Sequence, residues 1–481
     1  MDVAERLLVY LSSVLTLYGL IVLTYRILFH PLRKYPGSTF ARLTEAYGGL
    51  FALGKCLHIE TYEDHLRYGP VVRQAPDRLI FNSATALQAI YQNEQVAKSY
   101  VYSAAQPDQY NVFTTASNRV LSEQSMRTFE ETLHEQINIF LEKLSRSNGT
   151  SVNMTPTLRY LGLNIASLLG FGYDLALQTD DTHRYLADAL TSGNYRVNIA
   201  MQFTLFARLK LGNIMKLFPN NLRNKLLGMI RTMYDLYAAF NSQLQKQNNE
   251  MKLSDIWTEG FFFFSAGGDT IAAALTAAFF YLSEHRECYQ KLSNEIRSSF
   301  NSASEIRNGS CLTGCRYLRA FIEETLRMSH PIPGTLWREM APSTQGQPLV
   351  IDGHLIPPGT QIGVNIYSLH HNEKYFPDPF KFLPERWLEG SKNASYGAFA
   401  LFMIGPRSCS GKALAYLEIS LVLAKVMWCF DFEMAPGKIG GRGVKIEESE
   451  FPGYDILSAQ YGGPYLVFKS RDGVGSDFIA E

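Results

Sequence analysis

The sequence predicts a mainly α protein with small β-sheets, preceded by an N-terminal transmembrane helix. Three observations carry this. The run 7–25 (LLVYLSSVLTLYGLIVLTY) has no charge and is long enough to cross ~30 Å of hydrocarbon as a helix. Long stretches downstream have helical patterning, the strongest over 253–284, which would span ~45 Å. Prolines crowd 331–390, among them Pro331, Pro333, Pro342, Pro348, Pro357 and Pro358, a density that long helices do not tolerate.

In chain order, the anchor occupies residues 1–29. Arg26, His30, Arg33 and Lys34 follow the span without a small-residue cleavage site, which favours a retained anchor over a removable signal. The positive cluster places the remainder on the cytosolic side. HPLRKYPG at 30–37 holds two prolines and a glycine and should form a stiff, non-helical hinge. Residues 58–85 mix short β-type runs (Val71-Val72, Leu79-Ile80-Phe81) with turn residues, as a small sheet would. Helices are expected over 119–147, 158–170, 185–193, 222–247, 253–284 and 317–328. Strands and loops should fill 331–390, then a helix at 410–429 and short strands to 470. No repeat or linker is visible. Residues 30–481 therefore read as one large domain, although the length would allow about three.

Composition removes several function classes. Lys+Arg and Asp+Glu both number 45, so the basic excess of a nucleic-acid binder is missing. With 46% hydrophobic and 19% charged residues, a large core is expected and disorder is not. Six unevenly spaced cysteines are too few for a disulfide framework and fit a reducing compartment. Cys56, Cys288 and Cys429 read as small core residues. Cys311 and Cys315 begin an iron–sulfur-like spacing, but Leu318 stands where a third cysteine is needed. His370-His371 has no acidic or cysteine partner at ligand spacing and is expected on a surface loop. Sequons at Asn148, Asn153, Asn308 and Asn393 should stay unmodified on a cytosolic body.

The most informative segment is 402–411, FMIGPRSCSG. Gly405-Pro406 enforces a turn before Cys409, and an apolar helix starts just after it. A cysteine at a helix N-terminus has its thiolate favoured by the dipole and by free N–H groups. Arg407 adds a positive charge for an anionic ligand. Gly405 and Gly411 leave room for a flat group to approach the backbone. Together these describe a one-thiolate metal site for a large planar cofactor.

The pattern F-x-x-G-x-R-x-C-x-G, filled by Phe402, Gly405, Arg407, Cys409 and Gly411, resembles the heme-binding loop of the cytochrome P-450 family. The resemblance implies that fold and a heme b with Cys409 as the axial iron ligand; a thiolate ligand pushes electron density to iron and favours O–O cleavage. Three further stretches resemble the family in the same order. Glu324-Thr-Leu-Arg327 and Pro384-Glu-Arg386-Trp imply a buried Glu324–Arg327–Arg386 ion triad of structural role. Ala266-Gly-Gly-Asp-Thr270 lies in the long helix. It implies an oxygen pocket at Ala266 and Gly267 and proton delivery by Asp269 and Thr270. Ile271 departs from the pattern, where a second hydroxyl is usual. Two glycines in mid-helix weaken it by ~1 kcal/mol each relative to alanine; close helix packing is the alternative reason for them. Arg338, after Pro331-x-Pro333, and Arg119 resemble the family's propionate-binding arginines. The segments 100–113, 203–206 and 261–264, with Thr335 and Leu336, hold the family's pocket positions.

The resemblance covers about 30–470 and extends to fungal microsomal members. It implies a membrane-anchored monooxygenase of the endoplasmic reticulum, with a single span and a cytosolic catalytic domain. One oxygen atom from O2 would enter an apolar secondary metabolite, a terpenoid or polyketide. No flavin or nicotinamide segment remains in the sequence. Electrons would therefore come from a separate NADPH–cytochrome P-450 reductase, with Lys412 helping to dock it. Two alternatives stay open: a reductase-independent isomerase or dehydratase, and a non-catalytic heme sensor. The retained acid–alcohol pair Asp269-Thr270 weighs against both.

Overall fold

The computed structural model describes residues 3–104, 123–203, 253–341, 348–388, 396–437 and 443–471. The first helix, α1 (Val3–Thr24), continues through a π-helical turn at Tyr25–Phe29. Its stretch Glu5–Phe29 has mean hydropathy 2.1 and none of it is buried. Among the described residues it is the one helix long and apolar enough to cross a membrane. The hinge is not wholly non-helical as expected: Pro31–Lys34 forms a 3-10 turn. Proline suits a first helical position, where the N–H it lacks would go unused, and His30 Nδ1 accepts the Leu32 N–H at 3.1 Å. The hinge is tied to the body by Arg73 N–H to Pro36 O, 2.7 Å, and by Arg26 to Leu43 O.

Three short helices follow, α2 (Thr39–Leu43), α3 (Ala46–Leu53) and α4 (Leu57–Tyr68), then β1 (Val71–Ala75), β2 (Arg78–Phe81), α5 (Ala84–Tyr91) and β3 (Val96–Lys98). The expected sheet at 58–85 is thus half helix. Ile59 and Tyr62 of α4 cluster with Tyr367 from far along the chain, a tertiary burial that the local pattern does not show. The chain continues through α6 (Glu123–Arg146), β4 (Ser151–Asn153), α7 (Met154–Phe171) and α8 (Tyr185–Gln202). Next come α9 (Leu253–Glu284), α10 (Arg286–Ser299), α11 (Ser310–Gly314) and α12 (Arg316–Met328). The helix expected at 222–247 lies outside the described residues. The helix α8 runs well past 193. The helix α10 was not expected, although Cys288, Tyr289, Leu292 and Ile296 line one face at helical spacing.

The proline-rich part holds β5 (Arg338–Met340), β6 (Leu349–Ile351), β7 (His354–Ile356), β8 (Gln361–Val364) and a short α13 (Ile366–His370). The last helix, α14 (Lys412–Cys429), leads into β9 (Phe430–Met434), β10 (Gly453–Ile456), β11 (Ser458–Tyr461) and β12 (Tyr465–Ser470). The main sheet has the order β1-β2-β8-β5-β3. Its β2–β8 pair is parallel and the others are antiparallel. The largest apolar cluster joins α6, α7, α9, α10, α12 and α14.

The long helix α9 crosses α7 backbone to backbone. A Cβ on Gly268 would lie 2.5 Å from Leu163 Cδ2, and one on Gly162 would lie 2.7 Å from Gly268 O. Helix packing therefore explains Gly268, and the neighbouring Gly267 is exposed.

Candidate active site

Cys409 sits just before α14, after a single 3-10 turn at Gly405–Arg407. Its N–H donates to Phe402 O at 2.8 Å, which closes the loop on itself. Gly405 has φ +78°, and a Cβ there would lie 2.1 Å from Tyr91 O. The expectation that Gly405 makes room for a flat group is corrected: it makes room for the end of α5. A Cβ on Gly411 would meet Cys409 Sγ at an ordinary 3.7 Å. Cys409 is exposed at the mouth of its loop; the surrounding protein pushes its thiol up, a hydrogen bond from the Gly411 backbone offsets part of this, and a bound iron would favour the thiolate.

Two cations meet beside this loop. Arg338 opens β5, where it pairs with Lys98 and Ile362. Its guanidinium lies 4.9 Å from the Tyr91 ring centre and donates to Trp337 O at 3.1 Å. Burial and the Arg338 charge both hold the Arg407 guanidinium below its usual value. Arg407 Nη1 is buried without a hydrogen-bond partner among the described residues. A half-buried guanidinium with one buried, unpartnered nitrogen and a second cation beside it suits an anion. The two carboxylates of a heme would satisfy that demand, and Cys409 would supply the soft sulfur ligand. These residues fit an iron porphyrin. Arg119 lies outside the described residues.

The ion triad forms. Glu324, Arg327 and Arg386 are fully buried. Glu324 accepts from Arg327 Nε and Nη2, both 2.9 Å, and from Arg386 Nε at 3.0 Å. Leu383 N–H (2.9 Å) and Trp387 Nε1 (2.8 Å) complete the carboxylate's shell. Burial alone would push Glu324 up; the two guanidiniums and these donors outweigh it and hold the carboxyl below its usual value.

On α9, Gly267 is exposed and Ala266 and Thr270 are half-buried. Thr270 Oγ1 donates to Ala266 O at 2.6 Å. Asp269 is buried and faces α7 and α8. It accepts from Arg159 Nε (2.8 Å) and Nη2 (3.3 Å) and from Asn194 Nδ2 (3.1 Å). Arg159 also bonds Thr191, and Asn194 reaches Ser458 Oγ at 3.3 Å. Sequence reasoning missed Arg159 and Asn194. They stand 110 and 75 positions from Asp269, and neither lies in a motif.

A narrow crevice, with free space of only about 20 Å³, is lined by Met201, Gln202, Thr335, Leu336, Trp337 and Leu457 among others. Thr335 and Leu336 are among its lining residues. Phe264 is not: it is buried against Leu163, Leu175 and Leu190 as core. Residues 105–113 and 204–206 and the side chains of 261–263 lie outside the described residues. His370 and His371 are corrected as well. Both are buried beneath the triad rather than on a surface loop, since Arg327 Nη1 donates to His370 O at 2.9 Å.

Comparison with known proteins agrees with this geometry. The family model for cytochrome P-450 matches residues 81–440. The cytochrome P-450 monooxygenase poxM of Penicillium oxalicum is 33% identical over 95% of this chain and 93% of its own length. The monooxygenase AKT7 of Alternaria alternata is 31% identical over 95% and 97%. The monooxygenase apf8 of Gibberella fujikuroi is 34% identical over 72% of this chain and all of its own. A family match over most of the chain, which takes in the cysteine loop, places this chain in the cytochrome P-450 family of heme-thiolate monooxygenases.

Proposed function

We propose that this monooxygenase is held in the endoplasmic reticulum membrane by α1, with the catalytic domain in the cytosol. It would hydroxylate an apolar secondary metabolite, a terpenoid or polyketide, with electrons from a separate NADPH–cytochrome P-450 reductase. The observation that carries the heme site is the buried, unpartnered Nη1 of Arg407 beside Arg338 at the Cys409 loop. Support for the anchor is the apolar, unburied stretch Glu5–Phe29, with Arg26 near its end and Arg33 and Lys34 after it.

The heme, when bound, supplies iron for the activation of O2. Cys409 would hold the iron through its sulfur, with the Gly411 N–H on that sulfur. Arg407 and Arg338 would neutralise the carboxylates of the porphyrin. Thr270 rests with its proton on Ala266 O. A rotation about its side-chain bond frees that hydroxyl to hand a proton into the site. Asp269 is held by Arg159 and Asn194, so it acts as a proton carrier only when the Arg159 pair opens.

Product analysis with and without NADPH and reductase tests the reaction type. For Thr270→Ala, heme and substrate binding should persist while the ratio of product to NADPH consumed falls. General acid–base help is worth about 10²–10⁴-fold, part of which water can replace. An unchanged ratio at saturating substrate would remove Thr270 from proton delivery. Turnover without NADPH would point to an isomerase or dehydratase.

A further inference from the structure

Two histidines that belong to no family motif described above meet the segment entering the cysteine loop. His330 follows α12 and precedes Pro331, which stops the helix from continuing. Its ring is buried. Nε2 lies 2.9 Å from Leu401 O. A carbonyl only accepts, so Nε2 carries the proton. Nδ1 meets both the Ile332 carbonyl (2.8 Å) and the Ile332 N–H (3.0 Å); a proton on Nε2 satisfies Leu401 O and lets Nδ1 accept that N–H, whereas a proton on Nδ1 would leave Nε2 with nothing to donate to Leu401 O. His370 ends α13 and is fully buried. Its Nε2 accepts the Ala400 N–H at 3.2 Å, so its proton sits on Nδ1, which has no partner among the described residues. The two rings lie 5.6 Å apart, edge to face.

The two imidazoles therefore hold consecutive residues in opposite senses, one accepting from Ala400 and one donating to Leu401. The next carbonyl, Phe402 O, receives the Cys409 N–H. Between them the chain turns sharply, with Met403 at φ +55° and its N–H on Ala400 O at 3.1 Å. On its other side, His370 is tied to the ion triad through Arg327 Nη1 and its own carbonyl. Burial lowers the basicity of both rings, which keeps them neutral and preserves the lone pair on His370 that Ala400 needs. Histidines that only filled volume would not need opposite tautomers aimed at adjacent peptide groups, nor would a buried Nδ1–H be left without an acceptor.

We propose that His330 and His370 are positioning residues for Cys409: a pair of neutral imidazoles of opposite tautomer that clamps the Ala400–Leu401 backbone and thereby sets where the loop presents its sulfur. The proposal rests on Cys409 being the axial ligand. It assigns the two histidines no contact with substrate or cofactor.

The test uses the full-length, heme-loaded protein with His330→Leu, His330→Gln, His370→Leu and His370→Gln. A glutamine amide can donate or accept near the position of Nε2; leucine can do neither. Two readouts are taken: the fraction of the ferrous–CO form with the thiolate-type Soret band, and hydrogen exchange of the peptide covering Ala400 to Cys409. Each leucine variant should lose part of the thiolate band and exchange roughly two- to tenfold faster, the equivalent of one net hydrogen bond. Each glutamine variant should stay near wild type. Leucine variants that match wild type, or glutamine variants as impaired as leucine, overturn the clamp. If a leucine variant does not yield folded protein, His330→Asn and His370→Asn, too short to reach, must reproduce the loss. A wild-type protein without the thiolate band would instead refute the ligand role of Cys409, and the exchange readout then decides the clamp alone.

Discussion

Replacing Glu324 by glutamine isolates the charge of the triad with almost no change in volume. The wild-type carboxylate accepts five hydrogen bonds, three on Oε1 (Arg327 Nη2, Leu383 N, Arg386 Nε) and two on Oε2 (Arg327 Nε, Trp387 Nε1). Every partner is a donor. The glutamine NH2 must replace one of these oxygens, and the better choice is Oε2, where it confronts two donors instead of three. Two hydrogen bonds are lost, and Arg327 and Arg386 lose the carboxylate charge they share. Removing one partner from a buried ion pair costs about 3–5 kcal/mol, a large part of the ~5–15 kcal/mol that typically holds a protein folded. Urea unfolding followed by far-UV circular dichroism measures the loss, and heme content shows whether the proximal loop survives. Arg146→Gln is the control. Its pair with Glu142 is solvent-exposed and should be worth about 0.3–0.5 kcal/mol. The effect has a pH signature. The folded Glu324 carboxyl is held below its usual value near 4.5, so its contribution is complete above that value. As pH falls further, through the folded value, protonation removes it. The gap between wild type and Glu324→Gln should therefore close in that acid range. A loss under ~1 kcal/mol at pH 7, no greater than that of an exposed pair, would refute the triad as a stabilising charge cluster.

Other expectations follow from single contacts. Gly405→Ala should destabilise the loop and lower heme content, because φ +78° and the Tyr91 carbonyl oppose the new Cβ together; Gly437→Ala has φ +70° but open space and should lose only the ~1–2 kcal/mol of backbone strain. Heme retention and thermal unfolding compare the two, and equal effects would contradict the close approach. Cys409→Ser should remove the thiolate-specific Soret band of the ferrous–CO form, and retention of that band would exclude Cys409 as ligand. Asn148 and Asn308 are exposed sequons; a glycosidase mobility assay on protein expressed in a eukaryotic host should show no shift, and clear glycosylation would reverse the proposed orientation.

Features contained in one short stretch could be read from the sequence. The Cys409 loop packs its turn, its cation and its sulfur into ten residues, each dictated by local chemistry. Helices such as Leu253–Glu284 and Arg316–Met328 also declare themselves, because a long apolar or amphipathic period survives any tertiary context. Short elements do not. Leu57–Tyr68 resembles a strand-and-turn region until Ile59 and Tyr62 find Tyr367, more than 300 residues away. His370 and His371 look like surface residues because Asn372, Glu373 and Lys374 follow them, and only the folded chain buries them against the triad. The same holds for partnerships across the chain. Asp269 was recognisable as a site residue, but its hold by Arg159 and Asn194 arises where α9 crosses α7 and α8. That crossing is allowed because Gly162 and Gly268 face one another. Sequence specifies which side chains have useful chemistry. The packing of distant segments decides which protons and charges they meet, since hydrogen bonds and ion pairs act over a few ångströms while the residues that form them are separated by scores of positions.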